Sequence, residues 1–132
     1  MVHWGRAILA VLSGMISWAL LWNLGTTAAQ QTYPETLSPD QPITHAGALA
    51  GYIAYSVVVS GIAGFVTATV GRGWMVLVWI LALVHLALGI VAEASYWNLM
   101  PVWYHVVFLL LVVPATIAGG RLASVRAGRS GE

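Results

Sequence analysis

The chain has 132 residues, 60% of them hydrophobic and 7% charged, with a formal net charge of +1. A soluble domain carries closer to a quarter charged residues, so this composition excludes one, and no basic face exists to bind nucleic acid. With no cysteine, disulfides, thiolate metal sites and a nucleophilic thiol are excluded as well.

Crossing the hydrocarbon of a bilayer takes about 20 apolar residues in a helix, because backbone groups in lipid must satisfy one another. Four segments meet that length. The first runs over about 8–28, where the flanking Arg6 and the small residues Thr27-Ala28-Ala29 also allow a signal peptide. The apolar run is too long for that reading to be preferred. An outer connection over 29–45 follows, stiffened by Pro34, Pro39 and Pro42. Within it, Ser38-Pro39-Asp40-Gln41 has the pattern of a helix start, which predicts that the second helix begins early or that a short helix lies on the surface.

The second span covers 46–70 and the third 74–95, joined by the tight Gly71-Arg72-Gly73 turn. The fourth covers 102–120, with Pro101 at its start and Gly119-Gly120 at its end, and 121–132 forms a tail. All five arginines lie at Arg6, in the turn at Arg72, or at Arg121, Arg126 and Arg129, and positive residues are retained on the cytoplasmic side. The expected fold is a single all-α transmembrane domain over 1–132, a four-helix bundle running up-down-up-down with both termini cytoplasmic. Trp22, Tyr96, Trp97, Trp103 and Tyr104 read as an outer interfacial belt opposite Trp4 and Trp74, while Trp18 and Trp79 read as packing residues.

Helix two carries Gly47, Gly51, Ser60, Gly61 and Gly64 at three- and four-residue spacings, which lets backbones approach in lipid and predicts the packing centre of the bundle. Val57-Val58, Ile62-Ala63-Gly64 and Ala68 recur as Val112-Val113, Ile117-Ala118-Gly119 and Ala123 at an offset of 55 residues, the pattern of a parallel duplication.

Ionisable residues at membrane depth are the first places to look for function. His85, in the middle of helix three, is the candidate cofactor residue, as an axial ligand to a tetrapyrrole metal or a step in a proton path. The plainer alternative is one hydrogen bond from Ser17, Ser56 or Ser60. No further cofactor is indicated. His45, Glu93, Tyr104 and His105 gather as an outer polar cluster, in which Glu93 and His105 face each other across a short connection. Two histidines and a carboxylate can hold a metal ion, but the spacing matches no metal motif, and an interfacial hydrogen bond or ion pair between Glu93 and His105 is the preferred reading. Pro114 is a candidate hinge in helix four.

There is no lysine, no phosphate loop and no triad, and Ser60 with His85 is the one conceivable nucleophile and base, so an enzyme is not expected. The Gly119-Gly120-Arg121 end of helix four, its Pro101-Val102-Trp103-Tyr104-His105 start and the Gly64 to Arg72 end of helix two resemble those of small uncharacterised four-helix inner-membrane proteins of bacteria. That resemblance implies a bacterial inner membrane and no particular activity. The expected role is a non-catalytic accessory or structural subunit whose partners are the lipid bilayer and either other membrane subunits or copies of itself. The alternatives are an oligomeric proton-coupled or small-molecule transporter using His85, Glu93 and Pro114, and a haem or pigment carrier through His85.

Overall fold

A computed structural model describes residues 3–38 and 40–131. Among them are four helices, α1 (Trp4–Thr32), α2 (Ala46–Val70), α3 (Met75–Ser95) and α4 (Val102–Arg129). Each is long and apolar enough to cross a membrane. The chain is thus all-helical and multi-pass in character.

The second helix starts where its own cap allows. His45 takes the N-cap position of α2 and its Nδ1 accepts the Ala48 N–H at 3.1 Å, so the helix begins there and not at Ser38. Pro39, part of the expected helix start, lies outside the described residues. The other end of the chain differs as well. α4 continues to Arg129, because Ala123 is buried and Ser124 Oγ donates to the Gly73 carbonyl at 3.3 Å, fastening the extra turns to the 71–74 turn. That turn closes on a Gly73 N–H to Ala68 carbonyl bond of 2.7 Å, with Arg72 at φ 54°. A left-handed arginine is strained relative to glycine there.

The most extensive helix contact is α2 with α4, followed by α1 with α2 and α3 with α4. At the centre of the first, Gly64 lies against the Thr116 carbonyl and Gly119 against the Gly61 carbonyl, with no room for a side chain on either glycine. The 55-residue offset exchanges these two contacts, since it maps Gly61 onto Thr116 and Gly64 onto Gly119. The correspondence is partial: Ala68 and Ala123 are both buried, but Ile62 is 41% exposed and Ile117 7%. Two further glycines seat α1. A methyl on Gly14 would strike Thr67 and Leu81, and one on Gly25 would strike the Tyr55 ring, whose hydroxyl donates to the Leu21 carbonyl. Otherwise α1 buries only Ala10 and turns Ile8, Leu12, Ile16, Leu20 and Leu24 outward.

Gly47 and Gly51, expected in the packing stripe of α2, are exposed and make no helix contact; Gly47 meets only its neighbour His45, and nothing stands within 4 Å of a methyl on Gly51. The stripe therefore serves packing only from Ser60 onward. Trp79 also departs from expectation, being 47% exposed on the outside of α3. α4 runs unbroken through Pro114.

At the end of the bundle opposite the 71–74 turn, the connection over 33–45 folds inward. Leu37 and Ile43 are buried with Leu49, Tyr52, Tyr104 and Phe108, and the Ile43 N–H donates to the Leu99 carbonyl at 2.8 Å. The long loop and the short α3–α4 connection are thereby joined.

Gly119→Ala, which drives a methyl into the Gly61 carbonyl, is expected to cost about 1–3 kcal/mol of stability in mild detergent. Gly51→Ala should gain about 0.5–1 kcal/mol, because glycine inside a helix is entropically costly and nothing crowds the new methyl. Denaturant unfolding followed by circular dichroism measures both.

Candidate functional site

The last turn of α3 and the first turn of α4 bring Glu93 and His105 together. His105 is fully buried and Glu93 is 7% exposed, and the imidazole Nδ1 is in direct contact with Glu93 Oε2. The pair expected between Glu93 and His105 is thus formed, buried among the helices at their loop ends. Its other ring nitrogen faces the Trp97 carbonyl at 3.3 Å, and the Trp97 indole stacks on the ring at a centroid distance of 4.7 Å. A carbonyl only accepts, so Nε2 must carry a hydrogen. That leaves Nδ1 and the carboxyl to share one proton, either as imidazolium with carboxylate or as neutral imidazole with carboxylic acid. In both forms the pair is neutral overall and every polar atom facing inward has a partner, the condition under which such a pair survives burial.

Glu93 also forms part of the wall of a cavity of about 360 Å³ at the long-loop end. α1 contributes Trp18, Trp22, Asn23, Thr26, Thr27 and Gln30; the long loop closes over it with Ser38, Gln41 and Ile43; Tyr52, Tyr96, Tyr104 and Phe108 supply the remaining aromatic surface. Trp22 organises these rings, lying 5.8 Å from Phe108, 6.2 Å from Tyr52 and 6.1 Å from Trp18 by centroid. The sequence assigned Trp22 to an interfacial belt and did not foresee the chamber. A signal was present: Asn23, Thr26, Thr27 and Gln30 recur at three, four and seven residues, a polar stripe along one face of an otherwise apolar helix.

His45 does not join this group. It lies at the rim of a separate groove between α1 and α2, lined also by Gly25, Tyr33, Leu37 and Tyr55. Of the expected outer cluster, the structure assembles Glu93, Tyr104 and His105 and leaves His45 apart. Among the described residues no three His, Asp or Glu side chains are grouped as a metal site would require.

His85 is 1% exposed, with Trp18 tilted against its ring at a centroid distance of 5.0 Å. The expected serine bond is not made. Ser56 Oγ donates to the Ile53 carbonyl and Ser17 Oγ to the Ser13 carbonyl, while Ser60 Oγ, Trp18 Nε1 and both nitrogens of His85 are buried without a hydrogen-bond partner. Each such group costs about 1–3 kcal/mol. Since neither nitrogen borders space a water could enter, an axial ligand there would require the surrounding side chains to move. Comparison of the chain with protein-family models, curated proteins and solved structures finds no match.

Glu93→Leu leaves the buried Nδ1 of His105 alone and should cost about 3 kcal/mol. Glu93→Gln keeps an N–H that can donate to Nδ1, and its cost should be about 1 kcal/mol or less. Equal losses in the two variants, read from detergent unfolding, would show that the hydrogen bond does not hold this corner together.

Proposed function

We propose that the chain is a multi-pass protein of a bacterial inner membrane, up-down-up-down with both termini cytoplasmic, and that it works as an oligomeric, proton-coupled transporter of a small molecule. The observation that carries this reading is the chamber, an aromatic-lined space of about 360 Å³ at the long-loop end of the bundle with Glu93 in its wall. Buried ionisable groups in membranes are costly, and they are retained where they bind or relay something. A carboxyl that already shares a proton with His105 can exchange that proton when the chamber fills. No covalent chemistry is required of any residue.

The direction in the membrane is argued from charge. Arg6, Arg72 and the three arginines of the α4 end belong to the cytoplasmic side by the retention of positive residues, so the chamber and its loop face outward. Pro114 removes an N–H from the α4 ladder and gives that helix a place to bend. α1 packs on α2 through Gly14 and Gly25 and turns Ile8, Leu12, Ile16, Leu20 and Leu24 outward.

One observation favours the accessory-subunit reading. On the lipid side of the α2–α4 crossing is a groove of about 410 Å³ lined by Gly61, Ala115, Ala118 and Gly119 between larger apolar residues. Small residues exposed along a helix pair accept another helix at close range, a partner's or a second copy's.

Because the chain has no cysteine, single-cysteine variants report orientation without background. In intact cells a membrane-impermeant maleimide is expected to label Thr36→Cys and to reach Ser130→Cys only after permeabilisation; the opposite pattern would reverse the orientation.

Transport is tested in proteoliposomes holding an interior pH dye under an imposed pH gradient. A panel of neutral, anionic and cationic aromatic solutes should contain at least one that drives proton movement, and Glu93→Gln should abolish it. A folded protein that moves protons with none of them belongs to the accessory-subunit reading.

A further inference from the structure

Which solute the chamber takes follows from the signs of the groups around it. Its wall contains one carboxylate, Glu93, and no arginine among the described residues. The remaining polar groups are uncharged amides and hydroxyls, with Asn23, Gln30 and Gln41 the longest of them. Around these stand the rings of Trp18, Trp22, Tyr52, Tyr96, Tyr104 and Phe108. An aromatic face is the negative part of the ring's quadrupole and attracts a cation placed over it, most strongly where water is excluded. A carboxylate within an aromatic shell is hostile to anions and gives a neutral solute little to recognise. It suits an organic cation whose body is apolar.

The proton shared by Glu93 and His105 decides what happens when such a cation arrives. With Nε2–H committed to the Trp97 carbonyl, the imidazole holds its second proton only on Nδ1, the nitrogen that faces the carboxylate. A cation against Glu93 and an imidazolium against the same carboxylate place two positive charges on one negative charge in a medium of low dielectric. Neutrality returns if Nδ1 gives up its proton. The imidazole then stays in place through Nε2–H, and Glu93 keeps one positive partner. Among the described residues lining the chamber Glu93 is the one acid: Tyr52 on α2, Tyr96 beyond α3 and Tyr104 on α4 contribute phenols, and α1 presents the uncharged Asn23, Thr26, Thr27 and Gln30.

We propose that the chamber binds a small organic monocation of aromatic or alkyl character in exchange for the one proton shared by Glu93 and His105. The balance is one cation in and one proton out. The carboxylate keeps its charge, and the imidazolium becomes neutral imidazole. Glu93 is the binding group and His105 a positioning residue that stores the proton. This inference rests on the chamber being the ligand site and adds the ligand's charge and the exchange.

The test uses the full chain in lipid nanodiscs and a pair of probes of equal shape. Benzyltrimethylammonium carries a fixed positive charge and no acidic proton, and neopentylbenzene is its neutral carbon isostere. Binding is read from tryptophan emission, and protons are counted by calorimetry in two buffers of different ionisation enthalpy. The cation is expected to bind more tightly as pH rises, by about tenfold per unit while the pair holds its proton, with one proton released per probe. The isostere should bind weakly and without pH dependence. Glu93→Gln should lose the cation preference, and His105→Asn, which retains an N–H for the carboxylate, should keep the preference but lose the proton release.

Cation binding without proton release, or equal binding of the two probes, overturns the proposal. If the isostere binds and the cation does not, the chamber remains a ligand site and only the charge assignment falls. The same holds if neither probe binds while another solute drives proton movement in proteoliposomes. If neither binds and no solute drives movement, both readings fall together.

Discussion

Two backbones meeting without side chains between them govern the shape of this protein. Where Gly64 touches the Thr116 carbonyl and Gly119 the Gly61 carbonyl, α2 and α4 approach as closely as helices can, and in lipid that closeness replaces the hydrophobic force. The crossing lies towards the 71–74 turn. Nearer the long loop the same two helices present Tyr52, Tyr104 and Phe108, and side chains of that size keep their axes apart. The bundle is pinched at one end and propped open by rings at the other, and the chamber occupies the propped end. α1 has no close contact with α4; Trp22 reaches across to Phe108 in its place.

Lipid treats the two buried histidines unequally. His105 has a carboxyl on one nitrogen and a carbonyl on the other, so its burial leaves nothing unpaired. His85 has neither, and the indole packed against its ring also has an N–H without a partner. Such a spot is expensive in a static bundle. It lies behind Trp18, whose indole lines the chamber on one side and touches the His85 ring on the other.

The number of helices, their rough extents and the depth match of Glu93 with His105 were legible because they depend on run length and on a six-residue connection, both one-dimensional properties. The helix predicted over 46–70 coincides with α2. The faces were harder. Glycine spacing on α2 marked Gly47 and Gly51 as packing residues alongside Gly64, because a stripe records which neighbours would fit and not whether any is there. Trp79 reads as a packing residue for a similar reason: in lipid both faces of a helix are apolar, so periodicity loses the contrast that identifies a core. The polar stripe from Asn23 to Gln30 departs from that apolar background and is the signal that the sequence reading missed. The continuation of α4 to Arg129 depends on Ser124 finding the Gly73 carbonyl, a tertiary contact that no local pattern encodes.

The bond from Ile43 N–H to the Leu99 carbonyl makes one cover out of two connections. Ile43 belongs to the loop that roofs the chamber, and Leu99 to the segment that spaces Glu93 from His105. Any displacement of the roof wide enough to admit a solute must break that bond or carry the short connection along with it. In the second case the movement is passed to the segment between Glu93 and His105, so that under the proposed reading access to the chamber and the grip on its proton would be geared to each other through a single backbone contact.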